Sequence, residues 1–426
     1  MAQGKNGPPN TNPLIGGLTK NTLALVLTGE STGRLGPLTA RRVKPAVPFG
    51  GKFRIIDFCL SNCINSGIRR VGVITQDRAR SLIRHIQLGW GFQSGDFSGF
   101  IELLPAQQQF SDGRPLGTAD AIRQNLDVLR IHQPRHCLIL SGDHIYKMDY
   151  AQMLAEHALS QADATVACLE VPINEATAGG VLTVNREGRV TSFAVKPAAP
   201  APVPERPDRA LADLGIYVFN ADFLQRQLVR DAQTPHSGHD LAGDVIPHAV
   251  SLHRVMAHRF AHSCIRSDGA NRVPYWRDLG TVDAYWGANR DLVEVIPELN
   301  LYDGRWPIWT HQEQLPPAKF VFAHDDRWGM AVNSLVSGGC IVSGATVRRS
   351  LLFSNVRVEG ARTLVEDSVI LPDVRVDHDA RLRRAVVDTG TSIPPGLVVG
   401  EDPEEDARRF YRTPGGTVLI TPAMLG

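Results

Sequence analysis

The chain has 426 residues, of which 45 are basic and 44 acidic, so its formal net charge is only +1. This balance excludes the broad basic surface that marks most nucleic-acid-binding proteins, and we expect no nucleic-acid partner. A chain of this length usually organises more than one hydrophobic core, so we predict two domains.

The six cysteines are scattered without CxxC spacing, which argues against a zinc site or a disulfide framework. Residues 1–22 hold no apolar run of signal-peptide length, and no later run reaches the length of a transmembrane helix. We therefore expect a cytoplasmic protein with no membrane partner and a disordered segment over residues 1–22.

Short apolar runs recur from residue 23 onwards, separated by polar stretches of helical length. Examples of the apolar runs are LALVL (23–27), VGVIT (71–75), CLIL (137–140), ATVACL (164–169) and IYVF (216–219). This alternation predicts an α/β domain over residues 23–300, Rossmann-like, with a mostly parallel sheet and helices on both faces. In such open sheets the ligand binds beyond the carboxyl ends of the strands.

Two proline-rich stretches interrupt this pattern. The first, KPAAPAPVPERPDR (196–209), predicts an extended surface loop within the α/β domain. The second, WPIWTHQEQLPPAK (306–319), lacks periodicity and predicts a linker, over residues 301–330, that packs on another part of the protein.

Small and β-branched residues then recur at a spacing of about six, as in LVSGGC, IVSGAT and LVEDSV, which is typical of a parallel β-helix. A β-sandwich is the alternative, but its turn signals recur about every 8–12 residues. We therefore predict a β-helix domain over residues 331–426.

The loop after the first apolar run reads TGESTGRL (28–35). A glycine-rich loop at a strand end presents backbone N–H groups to phosphates, and Arg34 and Lys44 would neutralise their charge. Gly29–Gly33 also fits G-x-S-x-G, with Ser31 as a hydrolase nucleophile. That alternative is disfavoured because a hydrolase elbow lies mid-domain rather than after the first strand. A plain strand-to-helix turn is the other alternative.

The continuation of this loop resembles one protein family. Lys44–Gly72 reads KPAVPFGGKFRIIDFCLSNCINSGIRRVG, and collinear matches follow in LLPAQQ (103–108), GTADAIRQNLD (117–127), SGDHIYKMDY (141–150), GIYVF (215–219), YWRDLGTVDAYW (275–286), SLVSGGC (334–340) and EEDARRFYR (404–412). These segments resemble the ADP-glucose pyrophosphorylases of bacterial glycogen synthesis. The resemblance implies a nucleotidyltransferase domain followed by a left-handed parallel β-helix, in agreement with the repeat.

The same resemblance implies that the chain makes ADP-glucose and pyrophosphate from ATP and glucose 1-phosphate. Such a transfer depends on positioning and on cations beside the phosphate oxygens. By resemblance the catalytic residues are Arg34, Lys44 and Asp143, and Mg²⁺ would be held by Asp143 and Asp278. A lone aspartate after a strand is more often a cap or turn residue, so these two roles rest on the family match.

The resemblance also implies binding residues and partners. The nucleotide side would be formed by Gly29, Gln107, Gly117 and Asp120, and the sugar-phosphate side by Gly180, Lys196 and Asp213. A sugar-phosphate activator and AMP as an inhibitor would bind basic residues, which are Arg41, Arg42, Arg54, Arg409 and Arg412. Alternatively, these arginines are solvated surface charges. A homotetramer, or a hetero-oligomer with a related subunit, is expected.

Several positions depart from the family pattern. The family loop usually reads A-G-G-x-G-T-R-L, whereas this chain has Glu30, Ser31 and Thr32 after its first glycine. Glu30 adds a negative charge beside the triphosphate, and two like charges about 4 Å apart cost about 1–4 kcal/mol at effective dielectrics of about 80 to 20. On the sugar side the altered positions are Pro115, Leu116, Val195 and Asp213.

Three hypotheses therefore remain open on the sequence alone. The chain is a working adenylyltransferase, a catalytically weak regulatory subunit of the same family, or a transferase for another sugar phosphate or nucleotide. The joint retention of Arg34, Lys44, Asp143, Lys196 and Asp278 favours the first.

Overall fold

A computed structural model of the chain describes residues 13–29, 35–75, 79–91, 99–107, 109–111, 114–204, 206–266, 274–321 and 328–426. In these ranges the first part of the chain is α/β and the second is a parallel β-helix. None of the helices in the described ranges has the length and apolarity that crossing a bilayer requires.

The α/β part contains strands β1 to β15 and helices α1 to α10. The strands are β1 (Thr22–Leu27), β2 (Pro48–Phe49), β3 (Phe53–Arg54), β4 (Arg70–Thr75), β5 (Phe100–Pro105), β6 (Phe110–Ser111), β7 (Arg114–Pro115), β8 (His136–Ser141), β9 (His144–Tyr146), β10 (Ala164–Pro172), β11 (Gly180–Val184), β12 (Val190–Val195), β13 (Arg209–Asn220), β14 (Val255–Arg259) and β15 (Trp276–Asp278). The helices are α1 (Pro13–Lys20), α2 (Ile55–Asn65), α3 (Arg80–Gly89), α4 (Thr118–Arg123), α5 (Leu126–His132), α6 (Tyr150–Leu159), α7 (Ala221–Ala232), α8 (Ile246–Leu252), α9 (Phe260–Ser263) and α10 (Val282–Asp291).

Strand β1 is an interior strand of the main sheet, paired in parallel with β4 on one side and β8 on the other. Its side chains alternate between two hydrophobic cores: Leu23 and Leu25 face one, and Ala24 and Val26 face the other. A strand covered on both faces must be apolar at successive positions, which is why LALVL has no polar alternation.

The predicted α/β class is confirmed, and the sheet is mixed. Its order is β12-β11-β13-β8-β1-β4-β5, with β10 pairing β13 and β14. Strands β8, β1, β4 and β5 are parallel, whereas β13 runs antiparallel to β8, β10 and β11. A short apolar run has the same composition in either direction, so the sequence could not reveal the reversal of β13.

The β-helix consists of three sheets of stacked, mostly parallel strands, and a short helix precedes its last two strands. Its strands are β16 (Lys319–Val321), β17 (Met330–Val332), β18 (Leu335–Val336), β19 (Ile341–Ser343), β20 (Thr346–Arg348), β21 (Leu351–Leu352), β22 (Arg357–Glu359), β23 (Leu364–Glu366), β24 (Val369–Ile370), β25 (Arg375–Val376), β26 (Arg381–Arg383), β27 (Ala385–Val387), β28 (Ser392–Ile393), β29 (Val398–Val399), β30 (Tyr411–Arg412) and β31 (Val418–Ile420), and its helix is α11 (Pro403–Arg409).

One column of inward-facing side chains shows how the β-helix repeat builds its core. Val342, Val358, Val376 and Ile393 stand opposite one another in successive turns of the helix, and each is 0% exposed. In this sheet each of these four strands buries one side chain, and stacking the turns joins these side chains into one core. The predicted left-handed β-helix is confirmed.

Helix α10 joins the two parts. Its residues Val282 and Tyr285 belong to the same hydrophobic cluster as Leu351 and Leu419 of the β-helix. The indole N–H of Trp286 also donates to the Asp367 carbonyl at 2.7 Å. Because α10 begins at Val282, shortly after β15 ends at Asp278, the β-helix supports the segment that carries Asp278.

The segment predicted as a linker packs along α2. The Trp306 indole donates to Asn62 Oδ1 at 2.9 Å, and Asn65 Nδ2 donates to the Pro307 carbonyl at 2.9 Å. At the other end of the chain, α1 lies inside the segment 1–22 that composition predicts to be disordered, and it packs on α6. The limits 23–300, 301–330 and 331–426 stay predictions.

Candidate active site

The ends of the two central strands bring the candidate catalytic residues together. After β8 the chain turns at Gly142, whose N–H donates to the Leu27 carbonyl at the end of β1, at 2.9 Å. A Cβ on Gly142 would lie 2.9 Å from Val26 Cγ1, so glycine permits this close approach. Asp143 is consequently fixed beyond the carboxyl ends of both strands.

Asp278 reaches Asp143 through a two-stranded ribbon. Strands β9 and β15 pair antiparallel, with Asp278 directly opposite His144. The His144 ring also packs on Trp276, with 4.6 Å between ring centroids. This register places the Asp278 carboxylate beside that of Asp143, although the two residues are far apart in sequence.

Lys44 lies between the two carboxylates. It begins a short 3-10 turn, Lys44–Ala46, and its Nζ is 3.0 Å from Asp143 Oδ2 and 2.6 Å from Asp278 Oδ1. Ser141 Oγ donates to the remaining oxygen of Asp143. The predicted Lys44, Asp143 and Asp278 therefore form one cluster.

The electrostatics of this cluster favour the charged forms of Lys44 and Asp143. Burial alone would lower the pKa of Lys44, but Asp143 and Asp278 outweigh it and raise that pKa. Burial would raise the pKa of Asp143, yet His144 and Lys44 hold it well below its usual value. Asp143 is therefore ionised at neutral pH and available to a cation.

The donor set fits a divalent metal ion. One ligand atom each from Asp143, His144 and Asp278 lies within 4.8 Å of the others. Mg²⁺ is usually held by one or two carboxylates together with substrate phosphates, which is what Asp143 and Asp278 offer. The sequence did not single out His144, because only the pairing of β9 with β15 reveals that it faces both aspartates.

A cleft adjoins the cluster on the predicted sugar side. It has a volume of about 610 Å³ and is lined by Ala178, Lys196, Asp278, Gly280, Thr281 and Ala284. Lys196 ends the β11–β12 hairpin, where its backbone N–H donates to the Gly179 carbonyl at 2.8 Å. Lys196 is exposed, so its ammonium group and the Asp278 carboxylate share the walls of one cleft.

Both carboxylate oxygens of Asp213, predicted on the sugar side, accept hydrogen bonds from residues of its own strand, β13. Its Oδ2 accepts from the Tyr217 hydroxyl at 2.5 Å, and its Oδ1 accepts from the N–H of Gly215 at 3.1 Å. Burial raises the pKa of Asp213 to about 6. A Cβ on Gly180 would lie 3.0 Å from Asp213 Cβ and 2.7 Å from Phe193 Cζ, so Gly180 permits this packing.

The carboxylate of Asp120, predicted on the nucleotide side, accepts hydrogen bonds from side chains at the end of its own helix, α4. Its Oδ1 accepts from Arg123 at 2.6 and 3.0 Å, and its Oδ2 accepts from Gln124 Nε2 at 2.8 Å. Because the acidic side chain is buried and both oxygens are occupied, it stabilises α4. A nucleotide contact of Asp120 stays a prediction.

Gln107 and Gly117 are held by their backbones. Gln107 accepts from and donates to the side-chain amide of Gln124 at 2.8 and 2.9 Å, and its own side chain is exposed. At Gly117 a Cβ would lie 2.8 Å from Asp240 Cα. Gly117 thus allows the start of α4 to pack against residues 238–240.

The five basic residues predicted to bind effectors differ in their surroundings. Arg42 contacts both carboxylate oxygens of Asp388 in the β-helix, at 2.7 and 3.0 Å. Arg54 donates to the carbonyl of Ala46 and to Ser81, and burial lowers its pKa. The exposed members of the set are Arg41, Arg409 and Arg412.

Some predicted positions lie outside the described residues, namely Glu30, Ser31, Thr32 and Arg34. Gly29 is described and has a φ of +72°, a conformation that suits glycine. Among the other altered positions, Pro115 lies in β7, the Leu116 N–H donates to the Gln109 carbonyl at 2.8 Å, and Val195 is 47% exposed.

Comparison with known proteins identifies the family of the chain. Residues 23–295 match the nucleotidyl transferase family, and residues 316–420 match the GlmU-like, C-terminal hexapeptide family. The chain is 61% identical over 409 residues to a glucose-1-phosphate adenylyltransferase of Nitrosospira multiformis, with 96% of each chain covered. The chain belongs to the glucose-1-phosphate adenylyltransferase family. The relative of that name from Nitrosomonas europaea is 61% identical over 420 residues, covering 98% of this chain and 96% of its own.

Membership of the glucose-1-phosphate adenylyltransferase family confirms the resemblance drawn from the sequence and the assignment as a nucleotidyltransferase. A further relative, glucose-1-phosphate adenylyltransferase 2 of Alkalilimnicola ehrlichii, is 58% identical over 410 residues, which are 96% of this chain and 95% of that one. Enzymes of this class generally use a divalent metal ion, in line with the two carboxylates beside the cleft.

Proposed function

We propose that the chain transfers the adenylyl group of ATP to glucose 1-phosphate, forming ADP-glucose and pyrophosphate for α-glucan synthesis. The observation that carries this proposal is the convergence of Lys44, Asp143 and Asp278 beyond the carboxyl ends of β1 and β8. The cleft shared by Asp278 and Lys196 supports a phosphorylated sugar beside this cluster.

In the reaction, a phosphate oxygen of glucose 1-phosphate attacks the α-phosphorus of ATP. The bond from that phosphorus to the bridging oxygen breaks, and its electron pair leaves with pyrophosphate. Asp143 and Asp278 would hold Mg²⁺, which neutralises the charge developing on the phosphate oxygens. The Lys44 ammonium adds a second positive charge at the same place, and Lys196 meets the phosphate of the sugar.

We also infer how the chain is regulated and assembled. Phosphorylated effectors, a sugar-phosphate activator and AMP, would bind the exposed arginines of the predicted set, which are Arg41, Arg409 and Arg412. Arg42 would affect this site through its ion pair with Asp388. The protein would act in the cytoplasm as a homotetramer, or as a hetero-oligomer with a related subunit.

A coupled assay of pyrophosphate release tests the catalytic proposal. The whole chain should turn over ATP and glucose 1-phosphate with Mg²⁺, and Asp143→Asn should abolish turnover. Asp373→Asn is the matched control, because Asp373 is an exposed aspartate of the β-helix. If ATP and glucose 1-phosphate are not turned over even when sugar phosphates or AMP are added as effectors, and a related subunit co-purifies, the result would favour a regulatory subunit. Turnover with another sugar phosphate or nucleotide only would reassign the substrate.

A further inference from the structure

A second cluster of metal-ligating side chains lies outside the candidate active site. It consists of Glu156 on α6, His258 on β14 and His262 on α9. One ligand atom from each residue lies within 4.8 Å of the other two. Ligands of a tetrahedral ion are about 3.4 Å apart when each is about 2.0–2.1 Å from the metal, so small side-chain shifts would close this set around one ion.

The contacts in the cluster all converge on the Glu156 carboxylate. His258 Nδ1 is 2.6 Å from its Oε2, and His262 Nδ1 is 3.2 Å from its Oε1. The His258 side chain is 0% exposed, whereas those of Glu156 and His262 are 45% and 56% exposed. One ligand is thus fixed in the interior while the other two leave an entry path from solvent.

The far side of the His258 ring has the partner expected of a metal ligand. Its Nε2 is 2.7 Å from Ser263 Oγ. If the Nε2–H donates to that hydroxyl, the lone pair of Nδ1 points at a carboxylate oxygen. Nδ1 and the Glu156 oxygen would then both be acceptors, and two acceptors stay at hydrogen-bond distance only with a proton or a cation between them. Metal-binding histidines commonly have their second ring nitrogen held by an oxygen in this way.

The three residues are positioned by regular structure. His258 is opposite Ala167 where β14 pairs with β10, and α9 follows β14 directly. The carbonyl of Ser263 accepts from the Asp149 N–H at 2.8 Å, which ties α9 to the start of α6. The backbone is therefore already arranged for binding, and only side-chain rotation is required.

We propose that Glu156, His258 and His262 form a binding site for a transition-metal dication of the Zn²⁺ type, with a water molecule in the open position. Two imidazoles and one carboxylate favour such ions over Mg²⁺, which prefers oxygen ligands. No cysteine takes part, so the site has no CxxC signature. The proposal stands independently of the proposed catalytic function.

Titration of the metal-free full chain with Zn²⁺, in excess Mg²⁺, tests this site. One Zn²⁺ per chain is expected, and His262→Gln should weaken its binding by at least about tenfold. Ser263→Ala should weaken binding by about tenfold through the loss of the Nε2 contact. The control is His236→Gln, which alters an exposed histidine outside the cluster. Co²⁺ as a second probe should show absorption bands in the visible that His262→Gln removes.

Two results would overturn the proposal. The first is the absence of stoichiometric Zn²⁺ binding by the folded chain. The second is binding that His262→Gln leaves unchanged and Asp278→Asn removes, because the ion would then occupy the carboxylates of the active site. Both substituted side chains are partly exposed, so folding is expected to survive each change. Catalytic activity plays no part in either outcome.

Discussion

Substitution of Arg42 by methionine removes an ion pair between the α/β part and the β-helix. The guanidinium group contacts both oxygens of Asp388, and the two side chains are only 16% and 10% exposed. Methionine keeps much of the apolar stem of arginine. The main consequence is therefore an unpaired carboxylate in a largely buried position.

The size of the destabilisation depends on how Asp388 responds to the loss of Arg42, and protonation of its carboxylate is one response. Protonation of an ordinary aspartate at pH 7 costs about 4 kcal/mol, because its pKa is about 3.9 and each pKa unit is worth about 1.4 kcal/mol. This protonation cost is the upper limit of the destabilisation caused by Arg42→Met. The lower limit is the contribution of an exposed ion pair, which is about 1 kcal/mol or less. Given the low exposure of both side chains, we expect Arg42→Met to reduce the free energy of unfolding by about 2–3 kcal/mol at pH 7.

The pH dependence has a definite sign. Burial already raises the pKa of Asp388 despite Arg42, and removal of Arg42 would raise it further. The folded variant then binds the proton more tightly than the unfolded chain, so its stability falls as pH rises between the unfolded and folded pKa values. The loss caused by Arg42→Met should therefore shrink from pH 7 to pH 5, where protonation costs only about 1.5 kcal/mol.

Urea unfolding followed by circular dichroism at both pH values measures this effect. Arg41→Met is the matched control, because Arg41 is the neighbouring arginine and is exposed, so its loss should cost less than about 0.5 kcal/mol. If Arg42→Met lowers the free energy of unfolding by less than about 1 kcal/mol at pH 7, the ion pair with Asp388 contributes no more than an exposed pair and the reasoning is refuted. An equal loss at pH 7 and pH 5 would refute the assignment to the Asp388 carboxylate.

Three further changes test other parts of the chain. Leu382→Ala, at a 0% exposed position of the β-helix core, should lower the free energy of unfolding in urea by about 2–5 kcal/mol, whereas Val398→Ala, 41% exposed, should change it by less than about 0.5 kcal/mol. Gly117→Ala should lower the melting temperature because its Cβ would lie 2.8 Å from Asp240 Cα, whereas Gly287→Ala, a helical position with open space, should raise it slightly. Glu30→Gly should lower the KM for ATP in the pyrophosphate assay, and an unchanged or higher KM would count against charge repulsion in the loop.

The sequence predicted the parts of the fold that depend on local pattern. The buried run 23–27 marks the central strand, and the inward repeat exemplified by Val342 and Val358 marks the β-helix. Both signals arise because burial on a fixed face dictates which positions must be apolar. Strand direction has no such signal, which is why the antiparallel β13 was not foreseen.

Polar residues of the candidate site were harder to assign, because their roles depend on partners that are distant in sequence or on a neighbouring turn. Asp120 and Asp213 were both predicted to contact ligand from motif position. In the structure, Arg123 and Gln124 occupy the first carboxylate, and Tyr217 and Gly215 occupy the second. Motif position does not reveal these partners, and a ligand contact of either aspartate stays a prediction.

The opposite case is Asp278, a lone aspartate at the end of a short strand whose role is ambiguous in the sequence. The pairing of β15 with β9 resolves this ambiguity, because its register places Asp278 opposite His144, the residue next to Asp143. A shift of this pairing by one residue would turn the Asp278 side chain to the other face of the ribbon. The packing of α10 on the β-helix, including Trp286 on the Asp367 carbonyl, fixes the segment that follows β15. The β-helix thereby contributes to the geometry of a cluster formed by Lys44, Asp143 and Asp278 of the α/β part.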